Sequence, residues 1–162
     1  MILPREQIPS ALAPHRQRGE RIVFTNGCFD LVHSGHLLYL QAARSLGDCL
    51  IVGLNSDRSV QRIKGPTRPV LPQQDRALLL DSLRFVDYVV LFDEDTPEQL
   101  IREIRPDILV KGGDYRPHQI AGAAFVTSYG GSVVLLPYIE GKSTTAIIAR
   151  ICETICQTTA TE

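Results

Sequence analysis

The chain has 162 residues and a formal net charge of −1, and 44% of its residues are hydrophobic while 22% are charged. This length suits one α/β domain with a buried core, and the charge balance gives no electrostatic support for binding nucleic acid. No apolar run approaches the roughly 18 residues that a membrane span needs, and residues 1–10 lack the apolar core of a signal peptide. The four cysteines form no paired framework, so we expect reduced thiols in a cytoplasmic protein.

Short apolar runs alternate with stretches of helical spacing along the whole chain. The predicted strands cover residues 22–25, 49–54, 86–92, 108–111 and 132–136. The predicted helices cover residues 6–18, 35–46, 72–83, 97–105, 119–129 and 143–155. This alternation predicts an α/β fold, a single-domain doubly wound, Rossmann-like sheet of five parallel strands with helices on both faces. A single α/β domain would cover residues 20–156, after a helical extension over 1–19 and before a tail over 157–162.

Proline and threonine positions refine some of these boundaries. Pro9 and Pro14 are expected to break the first helix, because proline disrupts helical hydrogen bonding. Thr96 is predicted to cap the helix that begins at Pro97. Residues 55–71 are predicted to form a polar loop, and its length beyond the usual ~4–6 residues indicates a function.

Residues 25–36 lie between the first strand and the following helix, at the carboxyl end of the strands, where ligands bind. His33 and His36 would lie at the N-terminus of that helix, where backbone N–H groups and the helix dipole favour an anion. Gly35 has no side chain to block a phosphate. Asp30 is expected to hold a loop through backbone N–H groups rather than act as a base. The alternatives are two histidines that merely cap a helix, or a zinc site.

Residues 26–36, with the sequence NGCFDLVHSGH, resemble the signature of the cytidylyltransferase-like nucleotidyltransferases. Within that superfamily, residues 21–151 are most similar to the D-glycero-β-D-manno-heptose 1-phosphate adenylyltransferases. The segments that favour this branch are LNSD at 54–57, KGPTRPV at 64–70, VKGGDY at 110–115 and STT at 143–145.

The resemblance implies transfer of AMP from ATP to the heptose 1-phosphate, giving ADP-heptose and pyrophosphate for lipopolysaccharide or another heptose-bearing glycan. The acceptor phosphate is already ionised near neutral pH, so the site needs positioning and charge neutralisation rather than a strong base. Mg²⁺ held mainly by ATP and water is the expected cofactor, without dedicated metal-binding residues. The resemblance further implies a separate sugar kinase upstream in the pathway and, by analogy, a homodimer.

Position and resemblance together assign the site residues. The expected catalytic residues are His33, His36 and Lys64. The expected nucleotide-binding residues are Thr25, Asn26, Gly27, Phe29, Gly35, Lys111, Gly113, Asp114, Ser143, Thr144 and Thr145. The expected contacts to the sugar phosphate are Asn55, Asp57, Arg68 and Arg76, and Arg76 is equally compatible with a structural role.

Other functions fit parts of the same pattern. The sequence GKST at 141–144 suggests a P-loop, but that motif requires a glycine where Leu136 stands. A cytidylyltransferase acting on glycerol 3-phosphate or a similar small phosphorylated alcohol would carry the same histidine signature. A non-catalytic nucleotide-binding module is a third possibility, which the presence of both His33 and His36 disfavours.

Overall fold

The fold is a five-stranded parallel sheet, seen in a computed structural model that describes residues 1–113, 119–137 and 141–159. The strands are β1 (Ile22–Gly27), β2 (Cys49–Asn55), β3 (Tyr88–Phe92), β4 (Ile108–Gly112) and β5 (Ser132–Leu136). The α-helices of the described residues are α1 (Ile8–Gln17), α2 (Ser34–Arg44), α3 (Asp57–Lys64), α4 (Gln73–Asp81), α5 (Glu98–Ile104), α6 (Ala123–Ser128) and α7 (Thr144–Thr159). The predicted doubly wound α/β fold is confirmed.

The strand order β3-β2-β1-β4-β5 places β1, the first strand of the chain, at the centre of the sheet. β1 pairs in parallel with β2 on one side and with β4 on the other. After β1, the chain adds β2 and then β3 on one side of the sheet. It then crosses back and adds β4 and then β5 on the other side of β1. The carboxyl ends of β1 and β4 flank the switch point, where open α/β sheets form a ligand crevice.

Apolar side chains cover both faces of the sheet. Along β1, Ile22 and Phe24 belong to one buried cluster and Val23 to the other, because successive strand residues point to opposite faces. The first cluster includes buried residues of α1, α5 and α6, and the second includes those of α2 and α4. Within the described residues, no helix is long and apolar enough to cross a bilayer.

Residues 1–19 pack into the first of these clusters. The backbone N–H of Leu3 donates to Val89 O at 2.8 Å, which adds a short segment beside β3. Ile8 and Leu12 of α1 are fully buried in the same core. The predicted break of this helix is wrong, because Pro9 lies in the first turn, where no backbone donor is needed, and the helix continues through Pro14. Burial of its apolar face accounts for the tolerance of Pro14.

Residues 55–71 are only partly a loop, because they contain α3. Ser56 caps this helix, and its hydroxyl accepts a hydrogen bond from the backbone N–H of Ser59 at 3.1 Å. Val60 is the one apolar side chain that α3 buries, while Ile63 stays exposed. So few apolar residues leave no clear helical period, which explains why the composition favoured a loop.

Two further helix boundaries differ from expectation. α5 begins after Pro97, which is its N-cap and provides no side-chain hydrogen bond, so the predicted capping by Thr96 is wrong. The helix predicted over 119–129 is shorter, because α6 starts only after Gly122. Gly122 has a φ of +84°, and a Cβ there would lie 2.6 Å from Ile101. The close contact with α5 therefore requires glycine at that position, and its left-handed conformation keeps residue 122 outside the helix, so α6 starts later than predicted.

Replacing Leu12 with alanine tests whether residues 1–19 unfold together with the sheet. Leu12 is fully buried, so L12A should lower the free energy of unfolding by about 2–5 kcal/mol. The matched control is L78A, because Leu78 on α4 is 60% exposed and its loss should cost less than about 0.5 kcal/mol. Urea unfolding followed by circular dichroism measures both, and equal stability of the two variants would contradict a shared core.

Candidate active site

A cleft of about 400 Å³ opens at the carboxyl ends of β1 and β4, at the switch point of the sheet. Its walls come from the β1–α2 loop, the start of α2, the α3–α4 segment, the end of β4 and the start of α7. The lining residues are Asn26, Gly27, Cys28, Phe29, Asp30, His33, Gly35, His36, Tyr39, Lys64, Arg68, Lys111, Gly112, Pro137, Lys142, Ser143, Thr144 and Thr145. The fold thus brings together most of the residues that the sequence nominated.

The β1–α2 loop turns sharply over the mouth of β1. Phe29 and Leu31 adopt the left-handed backbone region, with φ of +44° and +50°. The Phe29 ring is buried, packs against His36 with ring centroids 5.4 Å apart, and would lie 3.1 Å from a Cβ at Gly27. Backbone conformations of this kind persist where the surrounding structure enforces them, commonly at functional sites.

His33 and His36 cap α2 and stack on each other. The backbone N–H of Gly35 donates to His33 Nδ1 at 3.1 Å, and the N–H of His33 donates to His36 Nδ1 at 3.3 Å. The two ring centroids are 3.9 Å apart. Because each Nδ1 accepts a backbone hydrogen bond, each neutral ring carries its own proton on Nε2. Helix capping therefore fixes the tautomer and leaves two Nε2–H donors among the residues that line the cleft.

The surroundings hold both imidazoles in the neutral form. Burial lowers the pKa of His36 to about 4, with a further lowering by His33 and a smaller opposing effect of Asp30. Burial also lowers the pKa of His33, and the nearby Lys142 ammonium lowers it further. A bound polyanion would favour the charged forms and raise both pKa values.

Asp30 connects three segments that line the cleft. Its carboxylate accepts hydrogen bonds from Arg68 Nε at 2.8 Å, Val70 N at 2.9 Å and Leu71 N at 3.0 Å. Its backbone carbonyl accepts from the Thr144 hydroxyl at 2.6 Å. Burial alone would raise the pKa of Asp30, but the two backbone donors and the Arg68 guanidinium lower it overall. The expectation that Asp30 holds a loop through backbone N–H groups is confirmed, and the donors come from the α3–α4 segment.

Two lysines bring positive charge to the cleft from different depths. Lys64 ends α3 and is exposed. Lys111 lies in β4, is half-buried, and donates from Nζ to Asn26 Oδ1 at 3.2 Å. Burial lowers the pKa of Lys111, because the low-dielectric surroundings disfavour its charged form. An anion at the end of β4 would favour the charged form of Lys111 and oppose this lowering of its pKa.

The residues that form the cleft offer little to a protein-bound metal ion. Among the described lining residues Asp30 is the one carboxylate, and Arg68, Val70 and Leu71 already occupy its oxygens. The described parts of the chain contain no group of three or more His, Cys, Asp or Glu side chains suited to a metal. A Mg²⁺ cage of protein carboxylates does not fit these residues.

The first residues of α7 complete the cleft. Ser143 caps the helix, with its hydroxyl accepting from Ala146 N at 3.1 Å, and its hydroxyl proton stays available for donation. The Thr144 hydroxyl is engaged with Asp30, whereas Thr145 is exposed in the lining. Backbone N–H groups at the first turn of a helix favour an anion, so α2 and α7 contribute two such ends to one cleft.

Two predicted ligand contacts are buried behind the lining instead. Thr25 is fully buried, and its hydroxyl lies 2.6 Å from that of Tyr39. Asn55 is also buried, and its side-chain amide donates to Ser59 Oγ at 2.9 Å. These hydrogen bonds satisfy polar groups at the ends of β1 and β2, so both positions support the cleft without lining it.

Arg76 is fully buried and links three segments, rather than lining the cleft. Its guanidinium donates to Asp57 Oδ1 at 2.7 Å, to Leu71 O at 3.0 Å and to Cys28 O at 2.5 Å. These contacts fit the structural alternative for Arg76. They also engage Asp57, so neither side chain forms part of the described lining.

Some lining residues were not predicted from the sequence, and the predicted Gly113 is not part of the lining. The lining residues absent from the predicted site are Cys28, Tyr39, Gly112, Pro137 and Lys142. The spacing of Tyr39, three residues after His36 on the same helix, was a signal that could have identified it. Gly113 lies beyond the lining and donates its N–H to Leu136 O at 3.0 Å. Asp114 lies outside the described residues.

The fold and the cleft define an α/β protein that presents two helix N-termini, a neutral histidine pair and several cations at the switch point of a parallel sheet. The family model described as Cytidylyltransferase-like matches residues 24–150. The chain therefore belongs to the cytidylyltransferase-like family.

The relatives are long proteins, of which this chain matches one part. It is 56% identical over 149 residues to "Bifunctional protein HldE" of Syntrophotalea carbinolica, covering 92% of this chain and 30% of that protein. It is 56% identical over 150 residues to the protein of the same name in Pectobacterium carotovorum subsp. carotovorum, covering 93% and 31%. The chain thus spans about 30% of the length of the curated relatives it matches.

Solved structures share the fold. The lipopolysaccharide core biosynthesis protein from Thermoplasma volcanium GSS1 is 28% identical with a TM-score of 0.61, over 76% of this chain and 100% of that one. Pantoate-beta-alanine ligase from Francisella tularensis, in complex with beta-gamma ATP and beta-alanine, has a TM-score of 0.56 over 85% of this chain and 67% of that one. At 15% identity the second likeness concerns the fold alone.

Substitution of Asp30 by asparagine should loosen the α3–α4 segment. The variant keeps the shape but loses the charge that three donors share, so D30N should lower the free energy of unfolding by about 1.5–3 kcal/mol. Hydrogen exchange of the Val70 and Leu71 amides should accelerate, since both donate to this carboxylate. D107N is the matched control, because Asp107 directly precedes β4 and accepts from the N–H of Ile22, the first residue of β1, at 2.8 Å. Equal exchange at 70 and 71 in D30N and D107N would contradict the anchoring role.

Titration of His36 by NMR should show a neutral Nε2–H ring above about pH 4 in the free protein. Since its pKa is lowered from the usual 6.5, the unfolded chain binds a proton that the folded chain does not between these values. The free energy of unfolding should therefore fall as the pH falls from 6.5 to about 4. H36N should lose this component of the pH dependence. An ordinary pKa for His36, or an Nδ1–H tautomer, would contradict the capping geometry.

Proposed function

We propose that the chain is an adenylyltransferase that moves AMP from ATP to D-glycero-β-D-manno-heptose 1-phosphate, giving ADP-heptose and pyrophosphate. The single observation that carries the proposal is the convergence of the His33–His36 pair and the N-terminus of α7 on one cationic cleft. Such a cleft suits a triphosphate because backbone N–H groups, imidazoles and lysines all donate to phosphate oxygens. The similarity to the HldE proteins favours heptose as the acceptor sugar.

The relatives are named bifunctional, and this chain corresponds to about 30% of their length. The part of those proteins that this chain does not match would hold their second activity. A sugar kinase that makes the heptose 1-phosphate is the reaction required upstream, and for this chain we assign it to a separate domain or protein. The cytoplasm, where ATP is abundant, is the proposed site of the reaction.

The proposed reaction is an in-line displacement at phosphorus. An oxygen of the acceptor phosphate forms a bond to the α-phosphorus of ATP, and the bond from that phosphorus to the bridging oxygen of the β-phosphate breaks. The electron pair leaves with the pyrophosphate. The attacking phosphate is already ionised near neutral pH, so no protein base is required. Catalysis then consists of positioning and of stabilising the charge that develops on the phosphates.

The site residues have distinct roles in this proposal. The Nε2–H groups of His33 and His36 donate to the phosphate oxygens where negative charge increases. Lys64 supplies charge from the exposed rim, and Lys111, which is hydrogen-bonded to Asn26, supplies it at the end of β4. The first turn of α7, with Ser143 and Thr145, binds the polyphosphate through hydroxyl and backbone donors. Arg68 positions the α3–α4 segment through its bond to Asp30.

Mg²⁺ enters this proposal with ATP. Because the described lining residues provide no free carboxylate, triphosphate oxygens and water would hold the ion. When bound, it supplies neutralisation of the phosphate charge. The residues of this chain bind and orient the phosphates around it.

Removing either imidazole donor tests the catalytic assignment. H33N keeps a good N-cap for α2 but loses the Nε2–H donor, so kcat should fall roughly 10²–10³-fold with the fold intact. H36N should behave in the same way. H15N is the matched control, because His15 bonds to Glu20 and Tyr88 away from the cleft. Normal ADP-heptose formation by H33N or H36N would refute the assignment.

Pyrophosphate release measures the reaction itself. The wild-type chain should release pyrophosphate with ATP and heptose 1-phosphate and release far less with CTP and glycerol 3-phosphate. The reverse preference would identify a cytidylyltransferase for a small phosphorylated alcohol. Nucleotide binding without any release of pyrophosphate would identify a non-catalytic module.

A further inference from the structure

Lys142 is a cleft residue with no role in the function described so far. It immediately precedes the Ser143 cap of α7 and lines the cleft. A Cβ at Gly35 would lie 2.9 Å from Lys142 Cβ and 2.9 Å from His33 Cε1. The stem of Lys142 therefore packs directly over the start of α2, beside the His33 ring, and only a glycine at position 35 leaves room for both.

The charge of Lys142 lies where it does not favour the folded chain. A cation at the N-terminus of a helix opposes the helix dipole, and acidic residues are favoured there instead. Its ammonium also lowers the pKa of His33, after the larger effect of burial. No carboxylate among the described residues forms an ion pair with Lys142, although the chain contains many such pairs.

Lys64 is exposed like Lys142, whereas two other cations that line the cleft have side-chain partners. Arg68 is bonded to Asp30 at 2.8 Å, and Lys111 is bonded to Asn26 at 3.2 Å. Lys142 is exposed, and it lies between two helix ends that both favour anions. A polyanion in the cleft would offset the unfavourable interactions of the Lys142 charge with the dipole of α7 and with the His33 ring.

We propose that Lys142, which packs over Gly35 beside the His33 ring, binds the β- and γ-phosphates of the nucleotide. These phosphates are the part that leaves as pyrophosphate. This role rests on the proposed function and adds a contact to it. The position accounts for a lysine before the Ser143 cap, where a helix on its own would favour an acidic residue. The charge of Lys142 thus serves the ligand rather than the unliganded fold.

Calorimetric binding of inorganic pyrophosphate, ATP and AMP to K142M tests this role. One charged hydrogen bond corresponds to a loss of affinity of about tenfold, so K142M should bind pyrophosphate and ATP about tenfold more weakly. Affinity for AMP, which lacks the β- and γ-phosphates, should stay unchanged. The Tm of unliganded K142M should equal or exceed that of the wild type, because an unfavourable charge is removed. K142R should recover most of the pyrophosphate affinity.

R150M is the matched control, because Arg150 is an exposed cation further along the same helix and outside the cleft. It removes the same charge and should leave pyrophosphate binding unchanged. Equal losses in K142M and R150M, an unchanged affinity of K142M for pyrophosphate, or an equal loss of AMP affinity would each overturn the proposal. Wild-type turnover is measured separately, so a chain that binds pyrophosphate through Lys142 but forms no ADP-heptose would contradict the proposed function alone.

Discussion

The carboxylate of Asp30 is the contact on which the geometry of the cleft depends. It lies between two residues in left-handed conformation, and it holds the α3–α4 segment through Arg68, Val70 and Leu71. The backbone carbonyl of Asp30 accepts a hydrogen bond from the hydroxyl of Thr144 at the start of α7. One buried residue thus joins walls of the cleft that are far apart in the chain. Burying an ionised carboxylate is costly unless both oxygens accept hydrogen bonds. Here the donors belong to the α3–α4 segment, so the same hydrogen bonds that satisfy the carboxylate also position that segment.

The histidine pair shows how one set of hydrogen bonds serves both the fold and the site. Backbone N–H groups that would otherwise be unpaired at the start of α2 bond to the two Nδ1 atoms. The same bonds place the ring protons on Nε2 and help to keep the rings neutral. A chain with a net charge of −1 can therefore present a cleft lined by hydrogen-bond donors and cations, since these groups are gathered locally.

Sequence patterns predicted the sheet well because buried parallel strands are continuous apolar runs. They also indicated much of the cleft lining, because NGCFDLVHSGH is one contiguous segment. They failed where the information lies in tertiary contacts. α3 buries one apolar side chain, so its period was invisible. The sequence at Arg76 and Asn55 fits a ligand contact as well as a hydrogen bond to a buried protein group. Only the burial of these two side chains, seen in the structure, favours the second role. The position of Lys142 depends on its packing against Gly35, which is distant in sequence.

The most direct measurement is a crystal structure of the chain with a non-hydrolysable ATP analogue. The triphosphate should lie between the start of α2 and the start of α7, with phosphate oxygens within hydrogen-bond distance of both imidazole Nε2 atoms and of the first backbone N–H groups of α7. A nucleotide bound away from the carboxyl ends of β1 and β4, or phosphates that contact neither helix, would contradict the central claim.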